Sequence, residues 1–128
     1  MSRSYRAVLI EDDADLRRLV QVSLKFTAGW NVEGAPNGAS GIELVRRASP
    51  DVVLVDLMMP GMDGYEVCRV LKDDPATEPI PRILFTARKN LDDAKLAESG
   101  LAGVIAKPFD LDTLAGQIEA LCARDEHD

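Results

Sequence analysis

In the stretch Asp51–Gly64, DVVLVDLMMPGMDG, an apolar strand pattern ends in a carboxylate and passes directly into a turn. Four of the five residues before Asp56 are Val or Leu, which is typical of a strand buried on both faces. A charged group at the rim of such a strand costs desolvation energy unless another group pairs with it. A single Asp there is equally consistent with a turn former. The role of Asp56 therefore depends on which other side chains reach the same rim.

The length and composition indicate one compact, globular domain with its own core, and we expect it to span 1–128 with a core of about 5–123. The net charge of -7 disfavours nucleic acid and anionic membranes as direct partners. The N-terminal apolar run is too short for a signal peptide or a membrane span. Cys68 and Cys122 belong to no CxxC motif. We expect them to be buried, reduced thiols, which suits a cytoplasmic protein.

Strand-like and helix-like patterns alternate five times along the chain. The predicted strands are about 5–10, 30–35, 52–56, 81–86 and 102–106. The predicted helices are about 14–27, 38–48, 63–72, 90–99 and 110–123. Alternation of this kind predicts an α/β fold, with a parallel sheet, right-handed crossovers and helices on both faces.

Three helices carry more specific expectations. On the first helix the apolar residues are expected near one face, with Arg17 and Arg18 outward; they are Leu16, Leu19, Val20, Leu24 and Phe26. Asn90 is predicted to cap the fourth helix. The fifth helix is expected to open with Asp110 and Asp112 near its positive end.

Polar side chains are predicted to gather at the carboxyl ends of the strands, where doubly wound folds bind their ligands. They are Glu11, Asp12 and Asp13 after strand one, Asp56 on strand three, Thr86 on strand four and Lys107 after strand five. Crowded carboxylates repel one another unless a cation is present. Oxygen ligands suit Mg²⁺, with Mn²⁺ as a substitute, better than zinc. A lysine and a hydroxyl suit the oxygens of a phosphoryl group, and a carboxylate can accept that group as a nucleophile. Asp56 is therefore a candidate phosphoryl acceptor.

Four ordered motifs, IEDD, VDLMMPGMDG, FTA and AKPF, resemble the response regulator receiver domain of two-component signalling, over about residues 5–123. The resemblance implies a flavodoxin-like fold with five strands in the order 2-1-3-4-5 and five helices. It implies a phosphorelay in which Asp56 accepts phosphate from a phosphohistidine on a sensor histidine kinase or histidine phosphotransfer protein. It also suggests a stand-alone, chemotaxis-type regulator. Such a protein catalyses only its own phosphorylation and dephosphorylation and is not otherwise an enzyme.

The resemblance also assigns roles to single residues. The metal ligands would be Glu11, Asp12, Asp56 and the backbone carbonyl of Met58. Thr86 and Lys107 would hold the phosphoryl oxygens, with a cis Lys107–Pro108 bond, and Asp13 would cap the first helix. The expected output is a changed affinity for a downstream protein, without contact to nucleic acid and without membrane insertion.

Other functions are compatible with parts of the pattern. A phosphate sink or relay intermediate would use the same site without an output of its own. An aspartate-nucleophile phosphatase would need an acid two residues after Asp56, where this chain has Met58, which cannot transfer protons. Gly34, Gly38 and Gly41 lack the GxGxxG spacing of a flavin or nucleotide binder. Val104 replaces the Tyr or Phe that many receivers use as a conformational switch, so the output conformation is less defined than the chemistry.

Overall fold

The sheet has five parallel strands in the order β2-β1-β3-β4-β5. The structure, a computed structural model, describes residues 4–127, with side chains through residue 123. The strands are β1 Arg6–Ile10, β2 Asn31–Ala35, β3 Val52–Asp56, β4 Arg82–Thr86 and β5 Gly103–Ala106. Each lies within a residue or two of its predicted bounds. The predicted fold and strand order are confirmed.

Helices connect the strands and cover both faces of the sheet. They are α1 Ala14–Ala28, α2 Gly38–Ala48, α3 Gly64–Asp73, α4 Asp93–Ser99 and α5 Leu114–His127. Helices α1 and α5 pack on one face, and α2, α3 and α4 pack on the other. Within residues 4–127, no helix has both the length and the apolar character that crossing a membrane requires.

Strand β3 lies at the centre of the sheet and is buried along its whole length. Its side chains alternate between the two faces, so Val52 and Leu54 join one core cluster and Val53 and Val55 join the other. This explains why the strand is a continuous apolar run rather than an alternating one. Both cysteines are buried and neither forms a disulfide, as the composition predicted.

The first helix buries fewer apolar residues than predicted. Val20 and Leu24 are buried and Leu16 is partly buried, but Leu19 is 50% exposed and Phe26 is 84% exposed. The prediction for Leu19 and Phe26 was therefore wrong. Only one stripe of a helix can face the sheet, and the five apolar positions span more than that stripe.

The capping of α1 agrees with the sequence, whereas two other helices begin later than predicted. Asp13 caps α1 by accepting from the backbone N–H groups of residues 15 and 16. Helix α4 begins at residue 93, where Asp92 accepts from the N–H of residue 95, so the prediction of Asn90 as the cap was wrong. Asn90 and Asp92 are both good caps, so the local sequence could not choose between them.

Residues 110–113 form a turn before α5, so the predicted helix start at Asp110 and Asp112 was also wrong. The Asp110 carboxylate accepts from the Asp112 N–H at 2.9 Å, and the Asp110 carbonyl accepts from the Thr113 N–H at 3.2 Å. Aspartate side chains that bond nearby backbone groups compete with helix formation in this way. The helix begins at Leu114, whose side chain is fully buried.

Candidate metal and phosphoryl site

The predicted site residues meet at the carboxyl edge of the sheet. Asp56 is the last residue of β3, and Thr86 is the last residue of β4. The sheet pairing continues beyond the strands: the Glu11 N–H donates to the Ala35 carbonyl at 3.0 Å, and the Lys107 N–H donates to the Thr86 carbonyl at 2.8 Å. Backbone hydrogen bonds thus fix the main-chain positions of Glu11 and Lys107, whose side chains belong to the site.

The Lys107 side chain bridges two buried carboxylates. Its Nζ lies 2.9 Å from Glu11 Oε1 and 3.1 Å from Asp56 Oδ1. Glu11 is only 2% exposed and Asp56 only 5% exposed. Burial by itself lowers the pKa of Lys107, but its hydrogen bonds to the two acids outweigh burial and raise that pKa. The ammonium is therefore held charged and supplies the counter-charge that the two acids need.

Glu11 is a weaker acid than an ordinary glutamate. Its surroundings together raise its pKa from 4.5 to about 7, and burial of the carboxylate is the largest cause. The hydrogen bond from Lys107 opposes this rise, whereas the neighbouring charge of Asp56 adds to it. A cation bound beside Glu11 would favour the charged carboxylate and so lower its pKa.

The three acids that the sequence selected lie close together. Carboxylate oxygens of Glu11, Asp12 and Asp56 all fall within 4.8 Å of one another, with Asp12 exposed at the mouth. This set consists of hard oxygen ligands and faces solvent on one side. These are the properties that Mg²⁺ or Mn²⁺ prefers, because such ions keep several of their waters. The residues present therefore fit a divalent, oxygen-preferring ion.

Met58 follows Asp56 by two residues, in the β3–α3 loop. Its side chain is exposed, and its sulfur lies 3.9 Å from Nη1 of Arg88. The role of the Met58 carbonyl as a metal ligand stays a prediction. The loops that carry Met58 and Arg88 enclose a cavity of about 370 Å³. The lining of this cavity begins at Leu57, the residue after Asp56, so the cavity lies beside the end of β3.

Thr86 is buried, and its hydroxyl oxygen accepts from the Arg88 N–H at 2.9 Å. This bond ties the end of β4 to the loop that leads into α4. The neighbouring residue on β4, Phe85, pairs with Asp56 across the sheet. A displacement of the Thr86 hydroxyl would break or move its hydrogen bond to Arg88 and so alter the β4–α4 loop. The Lys107–Pro108 bond is cis, as the resemblance implied.

Two further residues near the site were not selected from the sequence. Arg17, which was predicted to point outward, is partly buried, and its Nη1 donates to the backbone carbonyl of Glu11 at 2.7 Å. The Tyr65 hydroxyl on α3 accepts from the Asp92 N–H at 3.1 Å, where α4 begins. A glycine inside β2, Gly34, was the available signal for Arg17, because a strand glycine often marks a close approach. We find no comparable signal for Tyr65 in the sequence.

A family model for the response regulator receiver domain matches residues 7–119. The chain belongs to this family. The match runs from the second residue of β1 into the first half of α5, so it includes each residue of the site described above.

Curated relatives of this receiver domain are response regulators. The response regulator PleD of Caulobacter vibrioides is 39% identical over 121 residues, which cover 92% of this chain and 26% of PleD. The DNA-binding dual master transcriptional regulator RpaA of Synechocystis sp. is 34% identical over 120 residues, covering 93% of this chain and 49% of RpaA. The receiver domain thus spans about half the length, or less, of these relatives.

Solved structures show the same fold. The receiver domain of a signal transduction histidine kinase from Syntrophus aciditrophicus has a TM-score of 0.83 at 30% identity, covering 94% of this chain and 92% of that chain. The chemotaxis protein CheY4 of Vibrio cholerae has a TM-score of 0.85 at 23% identity, covering 93% of this chain and 99% of that chain. The second likeness concerns the fold alone.

Proposed function

We propose that this receiver domain accepts a phosphoryl group on Asp56, with Mg²⁺ bound by the adjacent acids, and changes its affinity for another protein as a result. The donor is a phosphohistidine on a sensor histidine kinase or a histidine phosphotransfer protein. The observation that carries the proposal is the Lys107 ammonium lying 3.1 Å from Asp56 and 2.9 Å from Glu11, beside a cluster of oxygen ligands. We place the reaction in the cytoplasm, where such kinases present their phosphohistidines.

The chemistry follows from the side chains present. A carboxylate oxygen of Asp56 attacks phosphorus, and the bond from phosphorus to the donor imidazole nitrogen breaks. The imidazole keeps the electron pair and is reprotonated by solvent. Bound Mg²⁺ would neutralise phosphoryl oxygens at the acid cluster. Lys107 would hold a second phosphoryl oxygen, and the Thr86 hydroxyl would donate to a third.

This part of the proposal is tested with acetyl phosphate as a small phosphoryl donor. The EDTA-treated protein is incubated with acetyl phosphate, with and without added Mg²⁺, and its intact mass is followed. We expect a single phosphoryl adduct that requires Mg²⁺, is absent from Asp56→Asn and is strongly reduced in Asp12→Asn. Asp93→Asn, an exposed acid on α4, is the matched control and should behave like the wild type. An adduct formed equally well in EDTA would contradict the role of the metal.

The output is proposed to arise in residues 87–106. The hydrogen bond from the Arg88 N–H to the Thr86 hydroxyl links the site to the loop before α4. Val104, on β5, is partly exposed and carries no ring that could change position with Thr86. We therefore expect a small rearrangement of the loop and α4. A phosphate-induced shift between two states typically changes partner affinity by about 5–150-fold.

Amide exchange with and without beryllofluoride and Mg²⁺ distinguishes a signalling output from a phosphate sink. Altered exchange in residues 87–106 is the result that we expect. Changes confined to the residues around Asp56 would instead favour a sink or relay intermediate without an output of its own.

A further inference from the structure

The Arg17 side chain completes the hydrogen bonding of the Glu11 backbone. Its Nη1 donates to the Glu11 carbonyl oxygen at 2.7 Å, whereas the Glu11 N–H donates to the Ala35 carbonyl of β2 at 3.0 Å. The sheet therefore holds one side of this residue, and a side chain from the second turn of α1 holds the other. A hydrogen bond to a charged donor is stronger than one between neutral groups.

The carbonyl that Arg17 binds belongs to the peptide unit that joins Glu11 to Asp12. A peptide unit is planar, so fixing its oxygen restricts rotation of the whole unit. That rotation would redirect the Asp12 backbone and move its carboxylate away from Asp56. Asp12 is exposed, so packing does little to hold its side chain, and the direction of its backbone has most of the effect.

Gly34 provides the space that Arg17 occupies. Glycine weakens a strand interior, because it has no side chain to pack and loses more conformational freedom on folding. A Cβ atom at position 34 would lie 2.7 Å from Arg17 Cδ and 2.9 Å from Arg17 Cγ, which is too close without a shift of the arginine. The missing side chain at Gly34, in edge strand β2, thus leaves the space in which the Arg17 side chain is partly buried.

We propose that Arg17, seated over Gly34, is a positioning residue that holds the Glu11–Asp12 peptide so that the acids converge on a divalent cation. The inference rests on the proposed function, because it concerns the same metal site. An alternative, purely electrostatic role makes the opposite prediction. A guanidinium close to the site repels Mg²⁺, so its removal would then tighten binding.

The test compares Mg²⁺ binding by calorimetry in the EDTA-treated protein and in variants. Arg17→Met keeps an aliphatic stem but removes the donor and the charge, whereas Gly34→Ala displaces the arginine without changing the charge. We expect each variant to bind Mg²⁺ about tenfold more weakly, at the lower end of the range for residues that orient metal ligands. The double variant should be no weaker than Arg17→Met alone, because both changes break one interaction. Arg17→Lys, which keeps a donor, should recover part of the affinity.

Matched controls separate this effect from general consequences of the substitutions. Arg18→Met removes the same charge from an exposed position on α1, and Gly116→Ala adds a methyl group where nothing lies within 4 Å. Both should bind Mg²⁺ like the wild type. Unchanged or tighter binding in Arg17→Met would overturn the proposal, as would a weakening matched by Arg18→Met.

A readout without metal keeps the inference separate from the proposed function. In the metal-free protein, Arg17→Met should accelerate amide exchange at Asp13, whose N–H donates to Glu11 Oε2 at 3.3 Å, while the amides of β3 stay protected. If the wild type binds no Mg²⁺, the proposed function fails and this measurement alone decides the role of Arg17. Exchange at Asp13 that is unchanged, or that accelerates only together with β3, would overturn the positioning role.

Discussion

The Lys107 ammonium lies 2.9 Å from Glu11 Oε1, a contact that joins the loop after β5 to the end of β1. Glu11 is almost fully buried, so water cannot take the place of the Lys107 ammonium beside its carboxylate. The bond is therefore important to the resting structure as well as to the proposed chemistry.

Replacing Lys107 should separate its two roles. In Lys107→Ala the buried Glu11 loses its charged donor and keeps only the Asp13 N–H at 3.3 Å, so we expect the free energy of unfolding without metal to fall by about 1–3 kcal/mol. Mg²⁺ affinity should not fall, because a competing cation has been removed. The response of residues 87–106 to beryllofluoride should be lost. Lys89→Ala, at an exposed position in the β4–α4 loop, is the control. A variant with a normal response would contradict the role of Lys107.

The raised pKa of Glu11 predicts a dependence of stability on pH in the metal-free protein. The folded state binds the proton more tightly than the unfolded state, where the pKa is near 4.5. The resulting stabilisation is fully present below pH 4.5 and is lost as the pH rises through about 7. Urea unfolding between pH 5 and pH 8 should show this loss, and Glu11→Gln should flatten it. An equal slope in the variant would show that another group is responsible.

How far the sequence predicts the structure depends on the range of the interactions. Strand β3 and Asp56 were predictable because a continuous apolar run ending in an acid depends only on neighbouring residues. The gathering of the three clustered acids with Thr86 and Lys107 followed because parallel strands bring their carboxyl ends to one edge. The bridge from Lys107 to both acids was not predictable, since it depends on side-chain packing between distant segments.

The errors have the same origin. Arg17 was assigned to solvent by helix periodicity, but the missing side chain at Gly34 lets it fold over β2. Phe26 was assigned to the core by the same periodicity, but it lies beyond the stripe that α1 turns to the sheet. In both cases the deciding information is the surface of a neighbouring element, which the pattern along one helix does not contain.

Replacing a buried arginine outside the site should lower the stability of the protein strongly. Arg82 is 5% exposed and donates to four backbone carbonyls, including those of Ser99 and Gly100 at the end of α4. In Arg82→Met these carbonyls lose their donors, so we expect the free energy of unfolding to fall by about 2–5 kcal/mol. Urea unfolding measures this loss, and Arg69→Met, at an exposed site on α3, is the control. Equal stabilities in the two variants would contradict the structural role of Arg82.

Cys68 should be inert towards thiol reagents in the folded protein. Burial raises the pKa of this thiol to about 12, so hardly any reactive thiolate forms at neutral pH. Ellman's reagent should therefore react with Cys68 only as fast as the protein opens, and at once in urea. Rapid labelling of Cys68 without denaturant would show that the α3 side of the core is more open than described.

The central claim is that Asp56 is the phosphoryl acceptor, and mapping the phosphorylated residue in the unaltered protein tests it most directly. The protein is incubated with acetyl phosphate and Mg²⁺, and the acyl phosphate is reduced with borohydride, which converts a phosphorylated aspartate to homoserine. Peptide mass spectrometry then locates the change. We predict conversion at Asp56, with Asp12, Asp13 and the other carboxylates left intact. Conversion at another acid to an equal extent, or none despite bound Mg²⁺, would contradict the account.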